Sequence, residues 1–131
     1  MQAKPILVEI APGELIDKIT ILQIKSERIV AADKLKNVRV ELEVLAAARD
    51  AAMPATAELA DLTAQLKQIN EALWDIEDAI RDCEREQDFG PKFIERARSV
   101  YHSNDRRAAL KRQINELLGS KLIEEKSYAA Y

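Results

Sequence analysis

At 131 residues, 47% hydrophobic and 33% charged with only three Gly and four Pro, the chain has the size of one domain and the makeup of long helices. A net charge of −3 speaks against a nucleic-acid duplex as partner, and no apolar run approaches the roughly 20 residues that a bilayer span needs. One cysteine, Cys83, excludes an internal disulfide and a cysteine-based zinc cluster within one chain. The expected class is all-α: an antiparallel helical bundle or coiled-coil hairpin with a short N-terminal strand or extended arm, one domain over 1–131. The apolar stretch at the start is too short for a signal peptide, so the expected compartment is the cytoplasm.

Residues 1–11 contain Ile6-Leu7-Val8-Glu9-Ile10, closed by Pro12-Gly13, the pattern of a short strand or arm. A lone strand needs a partner, across a dimer axis or in Lys121-Leu122-Ile123. The first helical arm is expected over 12–53. Its opening helix carries Leu15, Ile19, Leu22, Ser26 and Ile29 at coiled-coil spacing, with Ile21 and Ile24 on the opposite side. A helix apolar on two faces is covered on two sides, either centrally in a bundle or by another subunit. The phase slips near Asp33, a candidate N-cap for a new helix, although one helix with a local discontinuity would read alike.

Thr56 caps the clearest element, the long coiled-coil helix expected over 56–89. Leu59, Leu62, Leu66, Ile69, Leu73, Ile76, Ile80 and Cys83 follow a 3-4 alternation without a miss. Phe89-Gly90-Pro91 ends it, with Gly90 as the expected left-handed residue. Over 91–118 two helices are expected to meet near Asn104, because His102-Ser103-Asn104-Asp105 is polar and rich in cap formers. Gly119 stops the second, leaving 119–131 as a C-terminal tail.

Charge is segregated. Eight acids and two arginines lie between Glu71 and Asp88, and seven bases and two acids between Lys92 and Arg112. The preferred reading pairs acid with base across the Gly90-Pro91 hairpin; the other leaves the basic arm free for an anion. Glu71, Asp75, Asp78 and Asp82 form one stripe that faces away from the seam, so a solvated face is preferred over a metal site. Ser99, His102 and Asp105 diverge on one helix and lack an oxyanion hole, so no catalytic residue is assigned. Cys83 reads as a small buried hydrophobe, and Asn70 and Asn115 as register-setting or surface residues.

Two constellations remain. Trp74 lies outside the seam, and a tryptophan is expensive to leave wet, so a third helix or an oligomer contact should cover it. With Ile21 and Ile24 it forms the candidate interface. Arg98, Tyr101, Asn104, Arg107 and Lys111 recur at 3-3-3-4 and form the candidate ligand-binding set, suited to a carboxylate or phosphate. Paired with Glu14, Asp17 and Lys18, the same residues could instead be a buried polar network.

The stretches Gly13–Arg28, Leu73–Arg81, Phe93–Arg107 and Ile114–Tyr128 resemble a bacterial family of small helical proteins catalogued only as a domain of unknown function. That resemblance implies a small bacterial protein and brings no activity with it. The first helix alone also resembles the opening helix of all-helical chorismate mutases, through Ile16-Asp17-Lys18-Ile19 and the later Arg28. The Gly-x-x-Lys and Arg-x-x-Arg-Glu elements those enzymes use downstream are missing, so that chemistry is not transferred. The expected function is a non-catalytic helical interaction or assembly module without cofactor or metal, self-associating as a homodimer or binding another protein. The alternative is a small-anion or nucleotide-binding protein, up to a small-molecule enzyme, using the 98–111 cluster. Membrane and nucleic acid are not expected partners.

Overall fold

In a computed structural model, which describes residues 2–131, the chain is all-helical. The four helices are α1 (Pro12–Arg28), α2 (Ala32–Ala52), α3 (Ala57–Glu86) and α4 (Pro91–Leu117), and no strand occurs among the described residues. Residues 2–11 stay outside helix and strand, so the expected strand at 6–10 is an unpaired, exposed arm. The tail partner expected for it approaches only by a side chain: Lys121 Nζ lies 2.9 Å from Glu9 Oε1.

Each boundary has a local cause. Pro12 and Pro91 occupy first-turn positions, where the missing N–H is no loss. The break expected at Asp33 falls at residues 29–31 instead, and Asp33 sits in the first turn of α2, where a carboxylate suits the positive end of the helix dipole. Thr56 caps α3, its Oγ1 accepting from the Leu59 amide at 3.2 Å. The left-handed residue that closes α3 is Gln87 (φ 56°), not Gly90. The Gln87 amide donates to the Glu84 carbonyl and that of Asp88 to the Cys83 carbonyl, so the helix is sealed before the glycine is reached. Gly119 (φ 64°) does the same for α4, with the Ser120 amide donating to the Asn115 carbonyl.

The expected junction near Asn104 is absent. α4 runs unbroken for 27 residues through His102-Ser103-Asn104-Asp105, about 40 Å of helix. Packing against α1 and α3 along its length overrides the capping preference of those four residues.

α1 is the central element, in contact with α2, α3 and α4. Ile16 joins Leu59 and Leu66 from the start of α3 and Leu110 and Ile114 from the end of α4 in one buried cluster. Helices of the same chain pack on α1 from both sides, with Ile24 only 2% exposed, while Ile21 stays partly open. α2 is the opposite case. It packs on α1 alone, Val38 is its one buried residue, and Val40 and Val44 lie open.

Candidate functional site

The ladder of α3 turns its apolar side inward, which leaves a buried asparagine, Asn70, facing α1. Opposite it, α1 offers Asp17 and Thr20 from the middle of its own apolar face, at 1% and 0% exposure. Asn70 Nδ2 donates to Asp17 Oδ1 and to Thr20 Oγ1, both at 2.9 Å, and the Thr20 hydroxyl donates to the Asp17 carbonyl at 2.8 Å. From α4, Arg107 closes the set in a bidentate grip on the Asp17 carboxylate, Nε to Oδ1 at 2.9 Å and Nη2 to Oδ2.

One turn further along α4, the nearly buried Lys111 donates to Glu14 Oε2 at 2.7 Å and to Glu124 Oε1 of the tail at 3.1 Å. Another turn on, Asn115 Oδ1 accepts the Gly13 amide at 2.7 Å. That contact depends on the missing side chain, since a Cβ at Gly13 would stand 2.4 Å from the Lys111 carbonyl oxygen. Glycine here lets the start of α1 touch α4. Among the described residues, no buried side-chain polar atom lacks a partner.

The electrostatics follow from this geometry. Burial alone would raise the Asp17 carboxyl, but hydrogen bonds from Arg107 and Asn70 and the charges of Arg107 and Lys111 outweigh it and hold it below the ordinary 3.8. For Lys111, burial would lower the ammonium, yet hydrogen bonds to Glu14 and Glu124 with the charges of Glu14 and Asp17 hold it above the ordinary 10.5. Arg107 is likewise raised, first by its hydrogen bond to Asp17.

The candidate ligand set is thus divided. Arg107 and Lys111 belong to the internal network with Glu14 and Asp17, while Lys18 is exposed and lies 3.9 Å from Glu14. Tyr101 and Asn104 line a surface cleft with the outer side of Arg107 and the tail residues Lys126, Tyr128 and Tyr131. Arg98 lines neither this cleft nor the network. The candidate interface set converges: Ile21, Ile24 and Trp74 all line one cleft of about 400 Å³ between α1 and α3, with Leu73 and a charged edge of Glu77, Asp78 and Arg81. Trp74 is half-buried, and the Arg28 guanidinium sits 5.8 Å from its ring centre while pairing with Asp75 at 2.6 Å.

The expected charge zipper between α3 and α4 does not form. Among the described residues only Lys92 and Glu86, 3.7 Å apart at the turn, pair acid with base between the two segments. Arg81 and Arg85 pair within α3, with Glu77 and Asp82. Of the bases of α4, Arg107 and Lys111 turn to α1, and Lys111 and Arg112 to the tail, where Arg112 meets Glu125 at 3.2 Å. The acidic stripe of α3 is spent partly on these arginines, and no group of three potential ligands among the described residues is arranged to hold a metal ion.

Sequence reading missed Gly13, Thr20, Glu124 and the tail tyrosines as site components. The available signal for the network was an acid and a threonine set among Leu15, Ile16 and Ile19, with Asn70 on the apolar side of the ladder. No helix among the described residues is long and apolar enough to cross a membrane. Residues 6–131, nearly the whole chain, match the family described as "Family of unknown function (DUF6165)", and the chain belongs to it. No curated protein and no solved structure matches.

Proposed function

Starting from membership of a family to which no activity is attached, we propose that this chain is a non-catalytic helical interaction module that self-associates as a homodimer through its N-terminal arm. In this reading α3 and α4 form an antiparallel hairpin closed by α1. The arm of each copy lies in the Trp74 cleft of the other.

The observation that carries the proposal is the exposure of three consecutive aliphatic side chains, Ile6 and Leu7 at 90% and Val8 at 76%. Lone exposed apolar residues are ordinary; a run of them on an exposed arm, tied to the tail by the Glu9–Lys121 pair, marks a contact surface. Charge supports a second copy as the occupant. Lys4 precedes the aliphatic run and Glu9 follows its first three residues, while the cleft edge carries Glu77 and Asp78 and then Arg81. An arm laid along the cleft can set Lys4 against Asp78, while Arg81 and Glu9 keep their pairs with Glu77 and Lys121, beside a wall of Ile21, Leu73 and Trp74.

Burying each aliphatic side chain contributes roughly 1.5–3 kcal/mol. A two-fold pair buries both arms, which reaches the order of the association cost of about 4–15 kcal/mol. One arm alone reaches only the lower part of that range, so a reciprocal exchange is the stronger arrangement.

The alternative, an anion held jointly by Arg98, Tyr101, Asn104, Arg107 and Lys111, loses support because the two innermost cations are already neutralised by Asp17, Glu14 and Glu124. Light scattering at micromolar concentration tests the dimer. The full chain should show twice the 14.8 kDa monomer mass, and a chain lacking residues 2–10 the monomer mass with unchanged helical circular dichroism. A monomeric full chain would end the proposal, and so would an arm-deleted chain that still dimerises.

A further inference from the structure

The C-terminal tail returns along α4 and builds a second cleft that the self-association reading does not use. Glu124 and Glu125 anchor it on Lys111 and Arg112, and Tyr131 reaches Tyr101 and His102, with ring centres 5.1 and 4.8 Å away. The Tyr131 hydroxyl donates to Asp105 Oδ2, which engages one oxygen of that carboxylate and holds the phenol above its ordinary pKa. Between tail and helix lies a cleft of about 1130 Å³, lined by Tyr101, Asn104, Arg107, Lys126 and Tyr128 among others.

Beside the Asp105 carboxylate and the Tyr131 hydroxyl, which pair with each other, this lining carries donors with spare capacity. Arg107 spends Nε and one Nη2 hydrogen on Asp17, so Nη1 and one further N–H stay unpaired; its side chain is 29% exposed and lines both this cleft and the Trp74 cleft. Lys126 has no carboxylate within ion-pair distance, and its ammonium stands 5.8 Å from the ring centre of Tyr128. The Asn104 amide has no hydrogen-bond partner among the described residues. Tyr128, widely exposed, and Tyr101, partly exposed beside His102 and Tyr131, supply aromatic surface. Spare cationic donors beside aromatic faces fit a ligand that is flat and carries negative acceptors.

We propose that the cleft between α4 and the C-terminal tail binds a planar aromatic anion of nucleotide size, stacked on Tyr101 and Tyr128 and held through its charge by Lys126, Asn104 and the outer edge of Arg107. The volume suits a nucleoside monophosphate better than a single-ring carboxylate. This site shares Arg107 with the network on α1, whose pairing of Arg107 with Asp17 stays intact when the ligand binds.

The experiment is titration calorimetry of the full chain with adenosine and uridine monophosphates, 4-hydroxybenzoate, adenosine and inorganic phosphate. At least one aromatic anion should bind at least tenfold tighter than both adenosine and inorganic phosphate. The nucleotides should bind tighter than 4-hydroxybenzoate, and a preference for the benzoate would overturn the nucleotide size. Lys126→Glu and Tyr128→Ala alter exposed side chains outside the helices, so they should fold as the parent does and each weaken binding at least tenfold. Lys126→Arg should restore it. Absence of binding by all three aromatic anions overturns the assignment, as does adenosine or phosphate binding equally well. Affinity unchanged in Lys126→Glu and Tyr128→Ala would overturn it too.

Discussion

The two helices that flank α1 most differently are α4 and α2. α4 meets it through a glycine contact, a bidentate Arg107–Asp17 pair and a lysine held between two glutamates, all converging on the first turns of α1. α2 leans on the same helix through an apolar ridge whose one buried member is Val38, and presents Val40 and Val44 to the outside. The α4 seam has directional partners that fit in one register only. The α2 seam is a greasy surface that tolerates sliding, since nothing polar has to find its mate. A fully satisfied polar network specifies geometry at a cost in desolvation; an apolar ridge contributes area and little specificity.

The sharpest way to break this contrast is to remove one partner of the buried pair. Arg107→Met leaves the Asp17 carboxylate buried without its cation and should cost about 3–5 kcal/mol in urea unfolding. A loss below about 1 kcal/mol would mean that the network does not hold the seam. Next in size is Gly13→Ala, whose methyl would meet the Lys111 carbonyl and push α1 from α4, costing about 1–3 kcal/mol. At the low end, Val44→Lys on the open face of α2 should stay within about 0.5 kcal/mol of the parent. Native-state hydrogen exchange should order the same regions, with amides of α2 opening before those of α3 and α4.

Titration sharpens the contrast from another side. The Asp17 pKa is depressed in the folded chain, so its contribution is fully present above 3.8 and is lost as the pH falls through the folded value. The Lys111 pKa is raised, so its contribution is fully present below 10.5 and is lost as the pH climbs through the folded value. Acid should therefore loosen α4 from α1 in the parent, and Asp17→Asn should flatten the acid limb of the stability curve. An acid limb of equal steepness in that variant would assign the loss to other carboxylates.

Much of the helical layout was legible because it rests on periodicity and caps. The ladder from Leu59 to Cys83, the Thr56 cap and the Gly119 stop all act through neighbours in sequence. What escaped depended on contacts remote in sequence. Continuity of α4 through Asn104 is imposed by packing on two other helices, and the closing turn of α3 falls on Gln87, a residue with no advertised preference for positive φ. The cluster at 98–111 was legible as a list and not as a place. Its members divide, with Arg107 and Lys111 turned to α1, Tyr101 and Asn104 to the tail, and Arg98 to neither. The carboxylates that claim the former lie 90 and 97 residues away in the chain.

Trp74 is the sole tryptophan and lies in the cleft assigned to the arm of a second copy, so its emission reports directly on the proposed association. Diluting the full chain from micromolar to nanomolar concentration should shift that emission to the red as the arm departs. A chain lacking residues 2–10 should show the red-shifted spectrum throughout. Superimposable spectra of the two chains at every concentration would contradict the arm exchange on which the proposed function stands.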